Sequence, residues 1–141
     1  MNKSKKVWVI VYGIVDLEIK MLLLKPNPEF EMNYDYYVIT GGVEENETTE
    51  QAAIRETSEE IGVMPVKIIK LEETVAYIDR VSGMKMVEEC YAVEIENFDL
   101  TLNEEHIDYK WVSIERFTKL IWWEGSKNKL RDIIQKFKIL T

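Results

Sequence analysis

The chain has 141 residues, 46% hydrophobic and 31% charged, with a formal net charge of −8 and one cysteine, Cys90. That length fits a single domain spanning 1–141 with a substantial core, and the acidic balance argues against a nucleic-acid partner, whose phosphates need clustered lysine and arginine. One cysteine cannot form an internal disulfide; with no apolar run near the roughly 20 residues of a membrane span and no signal-peptide layout, a cytoplasmic protein with no membrane contact is expected.

Residues 7–15 form an apolar, β-branched run, which predicts a strand covered on both faces. A turn at 16–18 leads to a second strand at 19–24, and Pro26 and Pro28 break the pattern. Residues 27–35 read as a polar loop over the functional site, and 36–40 as a short strand entering a turn at Gly41 and Gly42.

A helix of about four turns follows. Thr48 and Gln51 have capping-box spacing at its start, and Gly62 with Pro65 beyond it marks its end. At about 100° per residue, Arg55, Glu56, Glu59 and Glu60 fall on one side, with Ala53, Ile54, Thr57 and Ile61 on the other. Acids one turn apart repel by a few tenths of a kcal/mol per pair. A solvated acidic face is the ordinary explanation. A divalent-cation site is the sharper one, because hard cations take oxygen ligands and Glu56 and Glu60 at i, i+4 can converge on one ion. Arg55 favours the second, since a forked pair can hold one carboxylate and leave others free.

Farther along, 66–78 and 84–96 predict a hairpin around Ser82 and Gly83. Residues 97–103 are a connection, 109–112 a short strand, and Ser113 caps a small helix. Leu130, Ile133, Ile134 and Phe137 recur with the spacing of a closing amphipathic helix. The pattern alone supports α/β or α+β.

The stretch from Gly41 to Val63 resembles the Nudix box, G-x5-E-x7-R-E-U-x-E-E-x-G-U with U aliphatic: Gly41, Glu47, Arg55, Glu56, Glu59, Glu60, Gly62 and Val63 all match. Thr57 departs from the first U; its hydroxyl can bond the carbonyl one turn back. Asn46 stands where glycine is frequent and tolerates the left-handed conformation. The resemblance implies an α/β fold of Nudix type, an α/β/α sandwich with a mixed β-sheet between helices. It also implies Mg2+-dependent (or Mn2+-dependent) hydrolysis of a phosphoanhydride in a nucleoside diphosphate derivative. By position, it makes Glu56 and Glu60 the principal metal ligands and Glu59 a further ligand that can handle the attacking water. Arg55 and Glu47 brace the helix. The Thr40 carbonyl faces metal or phosphate, and Gly41 and Gly42 admit substrate closely.

The family also carries a glutamate in a late loop, where Glu104 and Glu105 precede the YKWV strand, and Glu105 is the better match. The segments TGGVEENE and EHIDYKW are similar to the branch that removes pyrophosphate from dihydroneopterin triphosphate. Diadenosine polyphosphate hydrolases, oxidised-dNTP pyrophosphohydrolases and non-catalytic nucleotide sensors share the box and stay open as alternatives. The expected partner is thus a small nucleotide or pterin polyphosphate, bound by a monomer or homodimer. Lys25 is a candidate phosphate contact, with Lys5 and Lys6 behind it. Tyr34, Tyr36, Trp122 and Trp123 could stack on a flat ring, although core or rim packing is the commoner role. His106 reads as a surface histidine before an assistant in proton transfer, and Cys90 as packing.

Overall fold

The computed structural model describes residues 4–30, 35–123 and 125–141. Its strands are β1 (Ser4–Val15), β2 (Glu18–Pro26), β3 (Ile39–Gly42), β4 (Lys67–Ile78), β5 (Lys85–Glu94) and β6 (His106–Val112); its helices are α1 (Thr49–Ile61), α2 (Ile114–Leu120) and α3 (Lys127–Leu140). Five strands run in the order β4-β5-β1-β2-β6, with β3 added beside β1. The β1–β5 pair is parallel and the others are antiparallel, so the sheet is mixed.

Alternation along β1 builds both layers. Trp8, Ile10 and Tyr12 point to α2 and α3, joining Cys90, Ala92, Phe117, Ile133 and Phe137. Val7, Val9 and Val11 point the other way, joining Ala52, Ala53 and Ile61 of α1. All six β1 side chains are essentially buried, which is why the run carries no polar face. The expected α/β/α sandwich with a mixed sheet is what forms.

Asp16 and Leu17, with φ of 52° and 67°, make a two-residue left-handed turn that pairs Val15 with Glu18. The β4–β5 hairpin closes where predicted: Asp79 Oδ2 accepts from Ser82 N, and Gly83 takes φ 73°. Ser113 caps α2 by accepting from Arg116 N at 3.2 Å.

Two expectations shift. The strand predicted at 36–40 forms at Ile39–Gly42, and both glycines pair with β1, Gly41 with Val7 and Gly42 with Lys6. Partnering overrides the turn preference of glycine there. The strand predicted at 109–112 begins at His106, because Pro26 pairs with His106 and lengthens the β2 contact. Of the predicted loop at 27–35, residues 28–30 form a short 3-10 turn, and 31–34 lie outside the described residues. No described helix is long and apolar enough to cross a membrane.

Candidate active site

The capping box that starts α1 is complete. Thr48 Oγ1 accepts from Gln51 N at 3.0 Å, and Gln51 Oε1 accepts from Thr48 N at 2.9 Å. Gly62, at φ 71°, ends the helix in the left-handed conformation and donates to Ser58 O. Asn46 holds φ 66° in the turn ahead of α1, as its tolerance allows. Thr57 is fully buried, and its hydroxyl donates to Ala53 O at 2.8 Å.

Arg55 lies at the centre of a carboxylate cluster. Nε and Nη2 fork onto Glu47 at 2.8 and 3.1 Å, Nη1 reaches Glu56 at 3.0 Å and Glu59 at 3.3 Å, and Nη2 also donates to Gly42 O at 2.8 Å. One guanidinium therefore ties α1 to β3 and to the turn between them. Its pKa is raised further above the ordinary value, first by the hydrogen bond to Glu47. Glu47 is held below the usual carboxylate range by that bond and by the Glu44 N–H.

Glu56 is packed over Gly41. A Cβ at Gly41 would collide with the Glu56 carboxyl group, so the bare backbone is what lets that carboxylate lie against β3. Glu60 does not face solvent with the other acids: its exposure is 2%. Burial above all, then its hydrogen-bonding to Glu56 and the charges of Glu105, Glu56 and Glu59, push its pKa far above the carboxylate range. Its Oε2 is buried with no hydrogen-bond partner.

Glu105 comes to the same place through the loop before β6. Thr101 N donates to Ile61 O and Asn103 N to Glu60 O, fastening that loop to the end of α1. Asn27 N and Nδ2 donate to the carbonyls of Glu105 and Glu104 from the other side. Asn103 Oδ1 accepts from Glu105 N at 3.1 Å, and Asn103 Nδ2 donates to the Glu105 carboxylate at 3.3 Å.

His106, expected at the surface, is 8% exposed instead. Its Nδ1 lies 3.8 Å from Glu60 Oε1 and makes no hydrogen bond. Burial lowers its pKa to about 4, so the ring is neutral near pH 7. Its position one residue after Glu105, at the start of a strand bound to β2, is what buries it.

Glu56, Glu60 and Glu105 thus converge, with Glu59 beside them on Arg55 and 57% exposed at its side chain. Among the described residues no three His, Cys, Asp or Glu side chains are already drawn into metal-holding positions. What is present is a set of hard oxygen donors, one of them buried and unpaired, next to a cradle that only glycine permits. That donor set fits Mg2+ or Mn2+.

The other residues selected from sequence divide between the sheet faces. Thr40 pairs with Trp8 and so shares the α2/α3 face. Lys25 alternates onto that same face, away from α1, and lies over the Tyr36 ring at 5.7 Å, with Lys110 over it at 4.5 Å. Lys25 is therefore not gathered with the acids. Cys90 is buried packing. Trp122 stands edge-on to Tyr37 at 5.4 Å and Trp123 edge-on to Trp8 at 5.9 Å. Tyr34 lies outside the described residues.

On this α2/α3 face a cleft of about 490 Å3 runs up to Thr40, lined also by Lys6, Tyr77, Glu88, Trp122 and Trp123. Sequence reading missed Glu88. It is 5% exposed, and burial pushes its carboxyl up to about 7 despite the charge of Lys6. The available signal was its place two and four residues before Cys90 and Ala92, on the inward side of a strand.

A NUDIX domain profile matches residues 5–133. The asymmetrical bis(5'-nucleosyl)-tetraphosphatase of Rattus norvegicus is 28% identical over 95 residues, 65% of this chain and 65% of that protein, so the match spans less than two thirds of the relative. Among solved structures, a C. elegans Ap4A hydrolase in a binary complex superposes with a TM-score of 0.75 at 25% identity, covering 97% of this chain and 96% of that one. The E. coli dihydroneopterin triphosphate pyrophosphohydrolase superposes with a TM-score of 0.72 at 24% identity, with coverage of 97% and 96%, a likeness of fold.

Proposed function

The chain belongs to the NUDIX family, and from that premise we propose that it is a pyrophosphohydrolase cleaving a phosphoanhydride bond in a nucleoside or pterin polyphosphate with the help of Mg2+ or Mn2+. The observation that carries this reading is Glu60, a buried carboxyl group with an unpartnered oxygen, set among Glu56 and Glu105. An acid so placed is unfavourable in isolation and is accounted for by a cation that it helps to hold.

Glu56, Glu60 and Glu105 would hold the ion. Bound there, it supplies neutralisation of phosphate oxygens and a water acidified for attack. Arg55 keeps Glu56 and Glu59 in place while bracing Gly42 and Glu47. Glu59, the most exposed of the box acids on α1, would accept a proton from water. Gly41 and Gly42 present a backbone edge without side chains, on which a phosphate can be seated.

Dihydroneopterin triphosphate, losing pyrophosphate, is the substrate suggested by the TGGVEENE and EHIDYKW segments. A diadenosine polyphosphate is favoured instead by the likeness to the rat and C. elegans proteins; an oxidised dNTP is the third candidate. A sensor without turnover has no need of Glu56, Glu59, Glu60 and Glu105 together. The test is phosphate or pyrophosphate release from these substrates, with added Mg2+ and with chelator. Turnover is expected only with the cation, and full rates in chelator overturn the reading.

A further inference from the structure

The hydrolase reading leaves the group attached to the phosphates undetermined, and the cleft on the α2/α3 face bears on it. β3 joins the two regions through adjacent residues: Thr40 lines the cleft, and Gly41 abuts Glu56. The two regions lie on opposite faces of the sheet, so a ring seated in the cleft reaches the acids only with a phosphate tail that passes around the backbone edge at Thr40 and Gly41.

The walls of the cleft suit a flat ring. Trp122 and Trp123 offer aromatic surface held by edge contacts to Tyr37 and Trp8, and the Trp123 indole N–H is tied to Ser126 O at 2.8 Å. Tyr77 and Val75 of β4 face them across the cleft. Such walls stack on any heteroaromatic ring and do not by themselves choose among rings.

Glu88 is the group that can choose. Its backbone pairs with Lys6 on one side and Val75 on the other, which turns its side chain into the cleft beside both. The carboxyl group is buried, yet makes no hydrogen bond or ion pair with the described residues. Its neighbour Glu89, pointing to the other face, is by contrast taken up by Lys5, Lys70 and Thr49. A buried carboxylate that lines a cleft, with neither oxygen engaged by a described residue, can act as a two-point acceptor for parallel N–H donors.

We infer that Glu88 is a specificity-determining residue, accepting the adjacent ring N–H and exocyclic amino group of a 2-amino-4-oxo ring, as in guanine or a pterin, and that it disfavours adenine. Adenine presents one amino group beside a ring nitrogen lone pair, so one carboxylate oxygen would meet a second acceptor and both would be left buried and unpaired. The inference rests on the hydrolase reading for the direction of the phosphate tail, whereas ring recognition itself needs no catalysis.

Binding is therefore measured by titration calorimetry at pH 7.5, above the value of about 7 to which burial raises Glu88 and below the pH at which a pterin loses its ring N–H, without metal, using GMP, IMP, AMP and neopterin. Wild-type protein is expected to bind GMP, neopterin or both about tenfold to a hundredfold more tightly than AMP. IMP, which keeps the ring N–H and lacks the amino group, should fall well below GMP. Whichever of GMP and neopterin binds identifies the source of the ring. In Glu88→Gln the preference over AMP should vanish, and Glu88→Asp, which keeps the charge but withdraws it by one methylene, should retain part of it.

Equal binding of GMP, neopterin and AMP by the wild type overturns the inference, as does a preference that survives in folded Glu88→Gln. The wild-type comparison stands even if that variant does not fold. Selective binding without turnover on any substrate would instead count against the hydrolase reading alone.

Discussion

Glu60 and Glu88 are two buried carboxyl groups on opposite faces of one sheet, and their surroundings give them opposite work. Around Glu60 are Glu56, Glu59 and Glu105, with a neutral imidazole at 3.8 Å. Around Glu88 are aromatic walls and two basic residues that line the same cleft, Lys6 and Arg80, of which Lys6 only partly offsets burial. Both acids hold their protons more tightly than in water, for the same first reason of desolvation. Neighbours decide what relieves the burial: a cation where acids crowd, an N–H donor pair where one acid stands alone.

The sharpest way to break the comparison is Glu60→Gln. It removes charge from the crowded site without changing shape, and kcat should fall by about three orders of magnitude or more. Melting temperature without metal should hold steady or rise, since an acid among acids has been removed. Unchanged turnover would show that Glu60 is no ligand, and the contrast with Glu88 would lose its basis.

Glu88→Gln tests the other side through pH. The folded-state pKa of Glu88 is raised from 4.5 to about 7, so its protonated form favours the fold. The stability it contributes is present below about pH 4.5 and is lost as pH rises toward and through 7. A displacement of that size is worth at most about 3 kcal/mol. Urea unfolding in chelator should show the variant close to wild type at pH 4.5 and more stable by about 1–3 kcal/mol at pH 8. Glu60 is present in both proteins and cancels. A difference independent of pH would mean that Glu88 is as well solvated in the fold as in the unfolded chain.

What was legible beforehand follows the same division. The Thr48–Gln51 box, the Gly62 stop, the Thr57 back-bond and the left-handed Asn46 rest on contacts within a few residues, so sequence displays them. The acids of α1 were found as a group, but the burial of Glu60 was not, because it depends on the 97–105 connection and β6 closing over the helix end. His106 was misplaced for that reason. Glu88 went unseen because an acid in a strand ordinarily marks the solvent side, and only the pairing of β5 with β1 and β4 shows it turned inward. Gly41 and Gly42 carried a turn signal that strand pairing overrode.

Arg55→Lys probes the brace of the crowded side. A lysine keeps one charge but not the fork onto Glu47 together with the reach to Glu56, Glu59 and Gly42 O. Stability should drop by about 2 kcal/mol and kcat by about tenfold or more. Glu105→Ala should be milder, about tenfold in kcat, because its loop is anchored by backbone contacts of Asn27 and Asn103 that the change leaves in place. If Glu105→Ala has no effect, the late-loop ligand must be sought at Glu104.

The smallest expected effect is that of Thr57→Val, which supplies a baseline for both faces. Thr57 is as buried as Glu60, on the same helix, but its polar atom is already satisfied by Ala53 O. That carbonyl keeps the helical backbone N–H as its donor when the hydroxyl is removed, so no group is orphaned. A methyl takes the place of the hydroxyl against Ala53 and the β-branched shape is retained. Stability should change by no more than about 0.5 kcal/mol, read as a melting-temperature shift of about 2 °C or less, with kcat unaltered. A large loss of either would mean that burial alone, whatever the partner, governs this helix, and the distinction drawn between Glu60 and Glu88 would then have no physical ground.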